Sequence, residues 1–254
     1  MIKPTTNLTT GRAQAASNED PKITGLKEKV KAAEQEIGMA VMCHETWKPT
    51  AYDEDLHMRM CESYATQTFL IVRRSLRRET LPALMRIWDS NERAVGMESV
   101  VRTLRDPQFF DALIASRTDH LEGYLRLTLK GHLRATLGEQ LARVGALVDK
   151  CTKGGAGFDT FRKLLILRSG QLAHRQAAPA KAGGVDTADE EIELFYQDNL
   201  EIVSLLLSIV LAHAFDLNEA ADVDRHYAKF FWAAARGEHA EGHPDYQPQK
   251  TGMV

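Results

Sequence analysis

Apolar positions along this chain recur at steps of three and four, the spacing of one helix face, and no segment alternates in the manner of a strand. From Ile23 to Trp47 the stripe runs through Leu26, Val30, Ala33, Ile37, Ala40 and Val41, and Lys48-Pro49-Thr50 is expected to end it. Asp53 suits the cap of a second helix, about Glu54 to Arg78, burying Met58, Cys61, Ala65, Phe69, Val72 and Leu76. Shorter helices follow at 81–88, with Pro82 in the first turn, at 97–104 and at 107–115. Leucines and valines then repeat from Leu121 to Val148 along a long scaffold helix, Thr118 to Cys151, part of which also fits packing on a second protomer.

Lys153-Gly154-Gly155-Ala156-Gly157 turns the chain back into a helix at Phe161 to Gln176. Periodicity is lost from Ala177 to Thr187, which reads as a loop. An acidic start, DEEIELF, suits the N-terminal dipole of a helix that leads into the buried run Leu200 to Phe215. A last helix, Glu219 to Arg236, bears Phe230, Phe231 and Trp232. The expectation is an all-α chain with a disordered arm at 1–21, a single domain at 22–236 and a flexible tail at 237–254.

Composition changes this picture little, since 44% hydrophobic and 26% charged residues describe an ordinary globular protein. Charge distribution says more than the net value of −3. Between Leu56 and Gly184 there are 21 Lys and Arg against 12 Asp and Glu, whereas Val185 to Tyr246 has 3 against 14. A basic middle can attract nucleic acid, or simply contact the acidic end. Cys43, Cys61 and Cys151 lie far apart without a CxxC pair, so reduced thiols and a cytoplasmic location are expected, with no zinc site. The most apolar stretch, Ile202 to Phe215, is too short to span a bilayer, so no membrane partner is expected.

The candidate chemistry sits at the end of the apolar helix in FRKLLILRSGQLAHRQ, residues 161–176. Arg168 and His174 stand on either side of Ser169-Gly170, two poor helix-interior residues. Histidine can move a proton near neutral pH, and a guanidinium presents fixed donors to phosphate, so the pair suits attack on a phosphodiester. Spacing alone is weak evidence. With 19 arginines and 9 histidines, gaps of four to six residues should arise roughly twice by chance, and three occur, including Arg126 to His132 and Arg236 to His243. A densely basic row, Arg73, Arg74, Arg77 and Arg78, is a second candidate: it could track phosphates, or be a solvated helix face.

Other patterns carry less. Lys153 precedes its glycines instead of following them, unlike a Walker loop, and His239-Ala240-Glu241 lacks the cysteine pair of a zinc deaminase. His239 and His243 are separated by Gly242 and followed by Pro244, which disfavours the helix they would need to chelate a metal.

The phrase LRSGQLAHR resembles the HEPN superfamily, in which an Arg precedes a His by four to six residues, and looks most like its AbiU-type abortive-infection branch. LMRIWD at 84–89, followed by VVRTLRD at 100–106, is similar to that branch as well. Ser169 stands where the family usually has Asn or Asp. The resemblance implies a HEPN-like bundle with extra terminal helices, a homodimer with its cleft at the two-fold axis, and RNA as substrate. It implies metal-independent cleavage through the ribose 2′-hydroxyl, with no cofactor. His174 would serve as general acid or base, Arg168 would stabilise the transition state, and Ser169 and Arg175 would contact substrate. On an unbroken helix six residues rotate the chain by about 240°, so Arg168 and His174 need either the Ser169-Gly170 break or a second protomer. The alternative reading is an inactive module that binds RNA, a nucleotide, or a partner such as an antitoxin or nucleotidyltransferase.

Overall fold

The structure, a computed structural model, describes residues 20–61, 65–91, 94–168 and 189–235. Those residues form helices and connecting turns, with no strand among them, as the spacing of apolar positions requires. In chain order the helices are α1 (Pro21–Tyr52), α2 (Glu54–Cys61), α3 (Thr66–Arg86), α4 (Met97–Leu104), α5 (Pro107–Thr118), α6 (Gly123–Cys151), α7 (Phe158–Leu167), α8 (Asp189–Leu206) and α9 (Leu217–Ala234). A five-residue π-turn, Leu207–Leu211, continues α8.

Helix α1 is the axis of the bundle. Its expected stripe of Leu26, Val30, Ala33, Ile37, Ala40 and Val41 is buried throughout, and α3 and α9 lie along it. Aspartates cap helix starts along the chain: Asp20 accepts the N–H of Lys22 on α1, Asp106 that of Gln108 on α5, and Asp216 that of Asn218 on α9. Each cap satisfies one of the N–H groups that a helix start leaves without a carbonyl, and is worth about 1 kcal/mol. The arm and tail expected at the two ends lie outside the described residues, except that Asp20 caps α1 and Pro21 opens it.

Two prolines depart from expectation. Pro49 lies inside α1 instead of ending it, and Pro82 lies inside α3 instead of opening a separate helix. Each removes one intrahelical N–H, a loss of about 3 kcal/mol in isolation. Packing offsets it: Trp47 and Thr50 are buried beside Pro49, and Leu81, Ala83, Leu84 and Met85 beside Pro82. The break falls earlier, where α2 ends at Cys61 and α3 begins at Thr66, so 54–78 is not one helix. Asp53 does cap there, accepting the Leu56 N–H at 2.9 Å. Met58, expected inside, is exposed.

The scaffold helix is also shorter than expected. Helix α5 extends to Thr118, and α6 begins only at Gly123, whose φ of 58° suits a residue without a side chain. The C-terminal half of α6 buries Leu137, Val144, Leu147 and Val148, whereas Tyr124, Leu125 and Leu127 in its first turns are exposed. Cys151 is buried at its end, and burial pushes that thiol up to about 11.

At the other end of the chain, Glu190–Leu211 is a 22-residue run long and apolar enough to cross a bilayer by length and composition. It exceeds the Ile202–Phe215 stretch because the helix includes the acidic start. Here it packs as core, with Tyr196, Leu200, Ile202, Val203, Leu206 and Ile209 buried, while Phe215 is exposed. Arg117 closes the π-turn by donating to the carbonyls of Ser208 and Ile209. On α9 Trp232 is buried but Phe230 and Phe231 face outward.

Candidate functional site

Helix α7 carries the candidate motif and is weakly anchored by itself. It has ten residues and one fully buried side chain, Leu164, which contributes about 1.5–3 kcal/mol. A helix this short is marginal without tertiary contacts. An aromatic cluster supplies them: the Phe161 ring centre lies 5.3 Å from Trp88 and 6.1 Å from Phe195. Trp88 is fixed in turn by donating its Nε1–H to Asn199 Oδ1 at 2.7 Å. Lys163 and Thr160 reach Glu191 on α8 at 2.9 and 3.2 Å.

This cluster determines what Arg168 meets. Trp88 follows α3 directly, so pinning its ring against α7 brings its neighbour Asp89 to the end of that helix. Asp89 Oδ2 lies 3.6 Å from the Arg168 guanidinium, and Oδ1 accepts the Asn91 N–H at 3.1 Å. The end of LMRIWD and Arg168 of the second phrase, distant in sequence, therefore meet. At 3.6 Å the ion pair is longer than a charge-assisted hydrogen bond, typically about 2.7–2.9 Å, and the guanidinium is 27% exposed. Among the described residues Arg168 has this one ion pair, which orients it and leaves guanidinium donors for an anion. Exposed Leu165 and Ile166 flank it.

Arg168 continues the last turn of α7, its N–H shared between the carbonyls of Leu164 and Leu165. Ser169, His174 and Arg175 lie outside the described residues, as does the loop expected at 177–187. The basic row sits on α3. Arg74 and Arg78 are exposed, whereas Arg73 and Arg77 are half-buried, and Arg77 stands 5.9 Å over the Trp47 ring. From helix rise, Arg78 and Arg73 lie roughly 12 and 20 Å before the end of α3, where Asp89 follows. Arg77 is thus turned toward α1, which leaves Arg74 and Arg78 as the row's outward pair.

A second polar group, buried between α1, α8 and α9, was missed in reading the sequence. Glu45 is fully buried and accepts from Arg225 Nε at 2.8 Å and from the Tyr196 hydroxyl at 3.1 Å. His44 Nε2 lies 2.9 Å from Glu193, which also accepts from Lys48 at 3.0 Å. Hydrogen bonds from His44, then Lys48 and Gln197, outweigh partial burial and hold the Glu193 carboxyl down at about 2. Burial foremost, and Glu45 beside it, raise the Tyr196 hydroxyl well above its ordinary range. The His44 and Tyr196 rings stack with centres 3.9 Å apart. A signal did exist: continuing the α1 stripe by three and four from Val41 lands on His44 and Glu45. Polar residues on a buried stripe require partners.

No cluster of three or more His, Cys, Asp and Glu occurs among the described residues. Compared with known proteins, residues 23–231 match a family model described as AbiU2, of the HEPN type. No curated protein and no solved structure matches the chain.

Proposed function

The chain belongs to the AbiU2 family of HEPN type, and from that premise we propose that it is a metal-independent endoribonuclease acting through Arg168 and His174. The observation that carries this reading is the meeting of Asp89 with Arg168, which holds a partly free guanidinium at the edge of the helix end. In the proposed reaction the ribose 2′ oxygen attacks phosphorus and the 5′ oxygen departs, leaving a cyclic phosphate. His174 takes the proton from the 2′ oxygen or returns one to the 5′ oxygen, a contribution of about 10² to 10⁴-fold. Arg168 donates to the phosphate oxygens as negative charge builds on them. Requirement for the 2′-hydroxyl excludes DNA as substrate.

Substrate approach is proposed along α3, with Arg74 and Arg78 contacting phosphates and Arg175 beside the reacting one. The active form is proposed to be a homodimer, supported by the exposed Leu165 and Ile166 next to Arg168 and by Leu125 and Leu127 on α6. A cytoplasmic role in abortive infection fits the family. An inactive binding module, paired with an antitoxin or nucleotidyltransferase, is favoured by one observation: Asp89 already offsets part of the Arg168 charge.

The experiment is cleavage of total cellular RNA in chelator by the wild type, Arg168→Ala and His174→Ala, each checked for folding and dimer mass. The nuclease reading expects wild-type cleavage, and folded variants that do not cut. Folded wild type that cuts only with added divalent metal, or not at all, overturns it.

A further inference from the structure

A cavity of about 590 Å³ opens where the end of α1 meets α2 and α9, and its lining shares no residue with the Arg168–Asp89 pair. Its size falls in the range of small-ligand sites, about 300–1,000 Å³. Four cations line it, Lys48, Arg59, Arg225 and Lys229, against a single carboxylate, Asp53. This balance is unexpected in the acidic end of the chain, to which α9 belongs.

The four cations are not equivalent. Lys48 is matched by Glu193 at 3.0 Å, and Arg225 by the buried Glu45 at 2.8 Å and by Asp222. Arg59 is held differently: Nε donates to the Asp55 carbonyl at 3.3 Å and Nη1 to the Ala235 carbonyl at 3.0 Å. Main-chain carbonyls fix its direction without cancelling its charge. Lys229 is exposed and forms no ion pair among the described residues. Asp53 uses Oδ1 to cap α2. Among the described residues Arg59 and Lys229 therefore have no ion-pair partner, and Asp53 is the one carboxylate lining the cavity beside them.

Its remaining wall is apolar and aromatic. Trp232, fixed by donating Nε1–H to the Thr46 carbonyl at 2.8 Å, forms the floor with Pro49 and Ala233. Tyr52 stands at the rim with its side chain largely exposed. Two cations suit a dianionic head, and an aromatic edge beside an apolar floor suits a flat ring attached to it.

We propose that this cavity binds a small phosphate monoester carrying a flat ring, at a site separate from Arg168. The test is calorimetric titration of the full chain with phenyl phosphate, inorganic phosphate and phenol. Phenyl phosphate should bind one site per chain and more tightly than either component. Arg59→Ala and Lys229→Ala should each weaken it roughly tenfold, the loss of one charged hydrogen bond. Tyr52→Ala should weaken phenyl phosphate and leave inorganic phosphate unchanged. Arg168→Ala should leave all three titrations unchanged, which keeps this result independent of whether the chain cuts RNA. Lys229 is exposed and has no ion pair among the described residues, so its variant serves if Arg59→Ala fails to fold. Absence of phenyl phosphate binding, equal binding of inorganic phosphate, insensitivity to Lys229→Ala, or loss in Arg168→Ala overturns the proposal.

Discussion

Two polar groups in this bundle are built in opposite ways. Around Glu45 the partners are close, at 2.8 and 3.1 Å, the carboxylate is fully buried, and three helices converge on it. At Arg168 the partner among the described residues is a single carboxylate 3.6 Å away, and the helix that carries it buries one large side chain completely. In the first group Arg225 and Tyr196 both donate to a buried carboxylate, so it can tie helices together but offers little to a ligand. The second leaves guanidinium donors toward solvent, which costs stability and leaves capacity for an anion. Charged residues that are incompletely paired at an element's end are therefore better candidates for chemistry here than those in the better-formed network.

The largest effect should separate the groups outright. Arg168→Ala should lower RNA cleavage by about 10² to 10³-fold, in line with removal of one transition-state donor, while thermal denaturation shifts little. Glu45→Ala should do the reverse. It strands the buried Tyr196 hydroxyl and removes one partner of Arg225, whose side chain is 46% exposed, so denaturant titration should report a loss of about 1–3 kcal/mol, with cleavage per folded molecule unchanged. Equal loss of activity and stability in either variant would erase the contrast.

Asn199→Leu sharpens it, because this change removes the acceptor of the Trp88 Nε1–H and touches neither group directly. The expected cost is about 1–3 kcal/mol for the stranded donor. Because Trp88 sets where Asp89 stands, the rate per folded molecule should also fall, which single-turnover cleavage at saturating RNA would detect. A merely structural Trp88 would leave that rate alone.

The smallest effect concerns pH. The Glu193 carboxyl is held at about 2, below its ordinary 4.5, by hydrogen bonds from His44 and Lys48. A depressed folded value means stability that is complete above about 4.5 and lost as pH falls from there toward 2. Thermal melts across this window should show a shallower acid slope for Glu193→Gln than for the wild type. Identical slopes would assign the acid loss to other carboxylates.

Much of the helical layout was legible from spacing. Helix α4 has the expected bounds, and the Asp106-Pro107 step marks the start of α5 through a cap and a proline, both local devices. Pro49 and Pro82 misled because their cost is local, whereas the burial that outweighs it comes from α3, α8 and α9. Of the candidate site, Arg168 was identified from its phrase, and Asp89 was noticed without a partner. Their meeting depends on Trp88 packing against Phe161 and Phe195, which no spacing encodes.

The sequence by itself determined that the chain is helical, which faces of its helices are apolar, and where caps begin them. It also carried the phrase that places the chain in its family. Each of these depends on residues within a few turns of one another, and helical periodicity reports such neighbours directly. Tertiary structure alone decided which polar side chains acquired partners: Glu45 with Arg225 and Tyr196, Asp89 with Arg168, and Arg59 with the carbonyls of Asp55 and Ala235. The strength of a charge is local, but its compensation depends on what long-range packing brings within about 3 or 4 Å.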